Sequence, residues 1–355
     1  MSLIEFRTQL LDLILNFLWR QWSALGILGT AGAEDEWIID PESLLVFSVG
    51  MARYEPRLFD EVLSWLPLNG EWLDLARLRT MIRRLDAEQL KVMGGTIHWA
   101  QRFADHRKWN GLAKMATEIQ GEQKQDESLS PLFREKSGKG YPFVESDRAD
   151  ERFARFSINR PKFENPRIGS PAPVTAGTNI RFFLRSLLGI GAKSECVLYL
   201  LTHEGGRVQE IADETGFFWL SAAQTLSDLA RSGLVLTRSQ GKGVEYWLSQ
   251  KRWWVFLTHQ DTDQFRPPKW VNWSAIFPAL VIVWNTVDSL SRELQTEYFT
   301  ASRLQQALEV LHREFSRAGV DVPPLPNMGL PTDMYQQATA AFVLRLLGGK
   351  QTVKA

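Results

Sequence analysis

The sequence predicts a mainly α-helical protein carrying one small β-hairpin, and three observations lead to that reading. Apolar residues recur at three- and four-residue spacing along most of the chain, the period of a helix with one buried face. Strand-like runs are confined to two short stretches on either side of Gln240-Gly241-Lys242-Gly243. Between about 121 and 177 neither period holds, and Pro131, Pro142, Pro161, Pro166, Pro171 and Pro173 punctuate the chain. The implied division is a helical N-terminal domain (1–120), a Pro-rich linker or extended arm (121–177), a middle domain (178–262) and a helical C-terminal region (263–355).

In the N-terminal domain, Leu3, Phe6, Leu10, Leu13, Ile14, Phe17 and Leu18 share one face of a first helix, with Arg7, Asp12, Asn16 and Arg20 elsewhere. Asp40-Pro41-Glu42 is a helix start, an acidic cap followed by Pro in the first turn, and Leu44 to Met51 follows it. Leu58–Leu66 is a short helix ended by Pro67 and Asn69-Gly70. Leu75 to Leu85 sets Arg77, Arg79, Arg83 and Arg84 opposite Leu75, Leu78 and Ile82, a solvated or ion-paired face and also a candidate nucleic-acid surface. A further helix runs from Ala87 through Trp99, and on towards Met115 unless Gly94-Gly95 breaks it. In the arm, Phe133, Tyr141, Phe143, Phe153, Phe156 and Phe163 imply that part of it lies against a folded surface.

The middle domain is the most informative. Ile180–Leu188 is a lead-in helix, Lys193–His203 the next, and Gly205-Gly206 ends it. Arg207-Val208 makes a short first strand, and Val208 to Thr215 a second helix. Thr215-Gly216-Phe217 turns the chain, since Gly tolerates the positive φ of a sharp reversal. Leu220 to Ser232 is a third helix, with Leu220, Ala223, Leu226, Leu229 and Ala230 at three- and four-residue steps. Leu234–Arg238 and Val244–Leu248 then form the hairpin. This order, with Ile211-Ala212-Asp213-Glu214-Thr215-Gly216 and the Leu226…Leu229…Ser232-Gly233-Leu234-Val235 run, resembles the winged helix-turn-helix regulators of the ArsR and MarR kind, over about Ala192–Leu248.

That resemblance implies duplex DNA as partner, with the third helix in the major groove and the hairpin as a wing on the backbone or minor groove. Ser221, Gln224, Thr225, Ser227 and Arg231 are then the candidate groove contacts, and Arg238 and Lys242 the wing cations. Phe218 and Trp219 stand where polar readers are usual. Two alternatives stay open for them: burial against another part of this protein, or a grip on a partner protein. The helix pair around Leu58 to Leu85 is a candidate second, degenerate helix-turn-helix. More faintly, Phe17-Leu18-Trp19-Arg20-Gln21-Trp22 and Pro56-Arg57-Leu58-Phe59-Asp60-Glu61 make the layout resemble bacterial regulators of toxin–antitoxin or phage-defence loci.

Downstream, Trp253-Trp254-Val255-Phe256-Leu257 starts a helix back onto the middle domain. Trp273–Leu290, Ala301–Ala318 and Tyr335–Leu347 are helices whose apolar stripes are core or a dimer seam; a homodimer would match a two-fold operator.

No catalytic constellation emerges, so the sequence points away from an enzyme. Gly189-Ile190-Gly191-Ala192-Lys193-Ser194 lacks the Gly before Lys and the spacing of a phosphate loop. His98, Asp105 and His106 are not at chelating intervals, and Cys196, the one cysteine, sits in an apolar helix as a small core residue. No cofactor or metal is called for. The 41 basic and 41 acidic residues cancel, against a protein that coats nucleic acid; residues 128–177 hold a positive excess, 9 against 6. The first 28 residues have neither an uninterrupted apolar span nor a secretion signal, so the expected setting is cytoplasmic, away from membranes.

Overall fold

The computed structural model describes residues 2–27, 36–122, 129–163, 170–174, 177–240, 243–258, 267–292, 295–320, 322–327 and 329–347. It is mainly helical, with two small two-stranded sheets among these residues. Helix α1 (Leu3–Ala24) begins in a reciprocal cap: the Ser2 hydroxyl accepts from the Glu5 N–H, and the Glu5 carboxylate accepts from the Ser2 N–H. Helix α2 (Pro41–Met51) starts at the predicted Asp40-Pro41, where Asp40 accepts from the Ser43 N–H.

Helix α3 (Pro56–Asn69) runs past the expected stop at Leu66, through Pro67. A proline there removes one hydrogen bond near a helix end, and Asn69 is held from outside instead, donating to the Ser170 carbonyl (3.1 Å) and accepting from the Ala172 N–H (2.8 Å). Helix α4 (Leu75–Ile82) is capped by Asp74. Helix α5 (Ala87–Phe103) passes through Gly94-Gly95 unbroken, then Ala104 turns extended and α6 (His106–Glu122) packs back along it. A β-carbon on either glycine would lie under 3.0 Å from the ring of Phe156 or Phe153. The glycines are there for close approach, which is why they do not end the helix.

The arm supplies those rings. Strand β1 (Ser130–Pro131) pairs in parallel with β2 (Ile158–Asn159), and the short α7 (Glu151–Ala154) lies between them in sequence. Leu132, Phe133, Phe153, Phe156 and Ile158 are buried in the same core as α1–α6. The Arg160 guanidinium sits 5.1–5.8 Å from the ring centres of Phe59, Phe133, Phe153 and Phe163, and donates to Asp60 at 2.9 Å. Residues 129–163 are thus packed structure rather than a linker.

Helices α8 (Ile180–Leu188), α9 (Ala192–Thr202), α10 (Val208–Thr215) and α11 (Trp219–Arg231) follow, then the hairpin of β3 (Leu236–Gln240) and β4 (Gly243–Trp247), and α12 (Gln250–Thr258). The expected strand at Arg207-Val208 is reduced to one bridge, Gly206 to Tyr246, because Arg207 already serves as the N-cap of α10. Beyond lie α13 (Trp273–Arg292), α14 (Glu297–Arg317) and α15 (Thr332–Leu347).

Buried residues separate into two clusters, one running through the N-terminal domain, the arm and the C-terminal region, the other lying within 178–262 apart from Ile38. Helices α1–α6, the arm and α13–α15 share one core, with Phe47 stacked on Phe277 at 4.4 Å and Phe17 5.3 Å from Trp273. The described parts of 1–120 and 263–355 therefore share an interior. Helix α13 is long and apolar enough to cross a bilayer by length and composition; Ile276, Leu280, Val283 and Val287 are buried, and it packs on α1, α2 and α14. The second cluster is α8–α12 with Ile38, set between the two halves of the first in sequence.

Six buried charges join the clusters. Arg77 of α4 pairs with Asp40 and with Glu42 (2.8 Å). Arg185 of α8 bridges Glu42 and Glu195, each at 2.7 Å, and Arg181 binds Glu195 (2.9 Å) with Asp40 at 3.5 Å. All six side chains are at most 2% exposed. Burial alone would raise the Asp40 and Glu42 carboxyls, but the arginines around them overcome it and hold both below the usual carboxylate range. The basic face expected on α4 is correspondingly incomplete: Arg77 points inward, and Arg79, Arg83 and Arg84 stay exposed.

Candidate nucleic-acid interface

Helix α11 is seated by Ala222, Leu226 and Leu229, the buried positions of its 3–4 stripe, against α9 and α10. The turn before it is fixed twice. Gly216 caps α10 in the left-handed region (φ 77°), and the Arg77 Nε–H donates to the Thr215 carbonyl at 3.0 Å. The same guanidinium that joins the two cores thereby holds the approach to α11. The hairpin is tied to the α9–α10 loop by the reciprocal backbone bonds of Gly206 and Tyr246, both 2.9 Å.

The outer face of α11 carries Trp219, Leu220, Ser221, Gln224, Asp228 and Arg231, all exposed. Its first turn is the most open apolar surface in this part of the molecule: Phe218 is 67%, Trp219 50% and Leu220 57% exposed. The Phe218 and Trp219 rings lie 6.3 Å apart and tilted to one another. Burial against the rest of the chain, one of the two alternatives for this pair, is therefore excluded.

The candidate polar contacts are only partly assembled. Ser221 and Gln224 face outward, while Thr225 and Ser227 are half-buried on the flank. Gln224 donates to Asp228 at 3.0 Å, and Arg231 lies 3.5 Å from the same carboxylate. On the hairpin, Arg238 grips Glu245 with two bonds, 2.7 and 2.9 Å, and that bond holds the Glu245 carboxyl below its ordinary value. Lys242 lies outside the described residues. Asp228 and Glu245, missed in the sequence, neutralise the cations chosen from it. Both were within reach: Asp228 is four residues beyond Gln224 and three before Arg231, and the hairpin register places Glu245 opposite Arg238.

Other candidates resolve simply. Gly189 and Gly191, with φ of 84° and 136°, form the turn between α8 and α9 that their sequence suggested. Burial pushes the Cys196 thiol up to about 12, leaving it protonated and inert. Among the described residues no group of three or more His, Cys, Asp or Glu is placed to hold a metal ion, the His98, Asp105 and His106 set included. Compared with known protein families, curated proteins and solved structures, the chain matches none.

Proposed function

We propose that residues 178–258 form a winged helix-turn-helix and that the chain is a regulator binding duplex DNA, with α11 in the major groove and the β3–β4 hairpin on the backbone. One observation carries this: α11 is held only along its inner stripe, and its outer face is uncovered from Trp219 to Arg231. Ser221 and Gln224 are the uncharged polar groups at that face, and Trp219 and Leu220 offer apolar surface suited to thymine methyls. Two copies would suit a two-fold site. The test is a gel shift against the DNA upstream of its own gene, at about 50 and 200 mM salt. Saturable binding that survives competitor DNA supports the reading, and no shift at the lower salt removes it. Replacing Arg238 and Lys242 together by Ala should weaken binding to all sequences alike.

A second reading is favoured by the exposure of Phe218, Trp219 and Leu220 together with the paired state of Arg231 and Arg238. In it the same surface grips a partner protein, as in an assembly or antitoxin-like component, with the aromatic pair as anchor. Trp219→Ala then abolishes a co-purifying partner and leaves DNA affinity unchanged. The opposite pattern returns the surface to DNA.

A further inference from the structure

A pocket of about 790 Å³ opens where the end of α5 and the start of α6 meet α7, within the size range of small-molecule sites (~300–1,000 Å³). Its wall is dominated by cations from three places in the chain. Arg102 leaves the last turn of α5, Arg155 follows α7, and Lys162 follows β2. All three are exposed, and none forms an ion pair among the described residues. Arg152 also lines the pocket but is committed to the buried Asp150 by two bonds of 2.7 Å, and its guanidinium covers Phe103 at 5.0 Å. Three uncommitted cations thus face one carboxylate, Glu151, an excess of two positive charges.

Like charges gathered without partners in a concave wall repel one another, and an anion relieves that repulsion. Burial and the nearby Arg155 hold His98 below its ordinary value, so at pH 7 it lines the wall as a neutral group and does not add to the excess. A phosphomonoester brings roughly −1.5 to −2 charges at pH 7, the amount needed. The volume leaves room for an organic part beside the half-buried Phe103 ring. Duplex DNA fits less well, since its phosphates lie on a convex surface and approach ridges more readily than pockets.

We propose that this pocket binds a small organic phosphomonoester, the phosphate held by Arg102, Arg155 and Lys162 and the organic part filling the remaining volume beside the Phe103 side chain. The experiment is isothermal titration of the full chain at about 50 mM salt with three probes: AMP, inorganic phosphate and adenosine. AMP should bind more tightly than inorganic phosphate, and adenosine should not bind. Arg155→Ala with Lys162→Ala should weaken AMP by about tenfold or more. The control pair Arg83→Ala with Arg84→Ala, which removes equal charge from exposed positions by α4, should leave AMP unchanged. Three outcomes would overturn the proposal. They are no heat with AMP at about 1 mM, adenosine binding as well as AMP, and equal loss in both double variants, which would mean bulk charge alone. Inorganic phosphate binding as tightly as AMP would overturn the organic subsite. DNA binding through α11 is read separately by gel shift, so either idea can fail alone.

Discussion

Trp219 stands half exposed at the first turn of α11, with Phe218 as its aromatic neighbour among the described residues. Removing it takes away surface without opening a cavity, so Trp219→Ala should move stability by less than about 0.5 kcal/mol in urea unfolding. A larger loss would mean that the ring is part of the packing. Glu245 makes a sharper case. It occupies Arg238 in a two-bonded pair, so under the proposed DNA-binding reading the hairpin would approach the duplex with its described cation already neutralised. Glu245→Gln should tighten binding to all sequences and steepen the salt slope by about one unit, as one more phosphate contact forms. An unchanged slope would remove the hairpin from the interface. Residue chemistry at this site was legible in the sequence, and its local pairings followed from helix spacing and hairpin register, but distant pairings were not. Arg77 shows why: in the sequence it belongs to a solvent-facing set of arginines, whereas its partners Asp40 and Glu42 lie over 30 positions away.

Among the elements, local signals predicted best where an element is locally determined. Helices α8 and α10 have the bounds the sequence implied, since periodicity and the positive-φ glycine that ends each, Gly189 and Gly216, agree there. Helices α3 and α5 depart for reasons outside their own sequence. The end of α3 is held by Ser170 and Ala172, and the glycines of α5 lie under Phe153 and Phe156 from the arm. An exposed mid-helix Gly→Ala change normally stabilises by about 1 kcal/mol. Here the sign should reverse: Gly94→Ala or Gly95→Ala should destabilise by roughly 1–3 kcal/mol through overpacking, seen as a lower melting temperature. A raised melting temperature would show that the rings can retreat.

For the molecule as a whole, the six buried charges decide how the two cores behave together. Each side is incomplete alone: Asp40, Glu42 and Arg77 carry one net negative charge, and Arg181, Arg185 and Glu195 one net positive. Glu195→Gln leaves the paired arginines short of a counter-charge and should cost about 3–5 kcal/mol. Calorimetry should show one unfolding transition in the native chain and two in this variant; one transition in both would mean that the cores are coupled by other contacts. Acid acts on the same joint. Asp40 and Glu42 sit below their ordinary range when folded, so the unfolded chain takes up protons first as pH falls. Their contribution is complete above about pH 5 and is lost as pH drops through and below the ordinary carboxylate range. The arrangement of the first core, whose halves flank the second in sequence, was beyond the reach of periodicity, which marks a buried face but not its partner. It also sets an order of events at the ribosome. Phe17 emerges about 250 residues before Trp273, its neighbour in the finished core, and at ~5–20 residues per second that is roughly ten seconds to a minute. Throughout that interval the part of α1 that α13 and α15 cover in the finished core stays open while α8–α12 are being made, surface that a chaperone could shield.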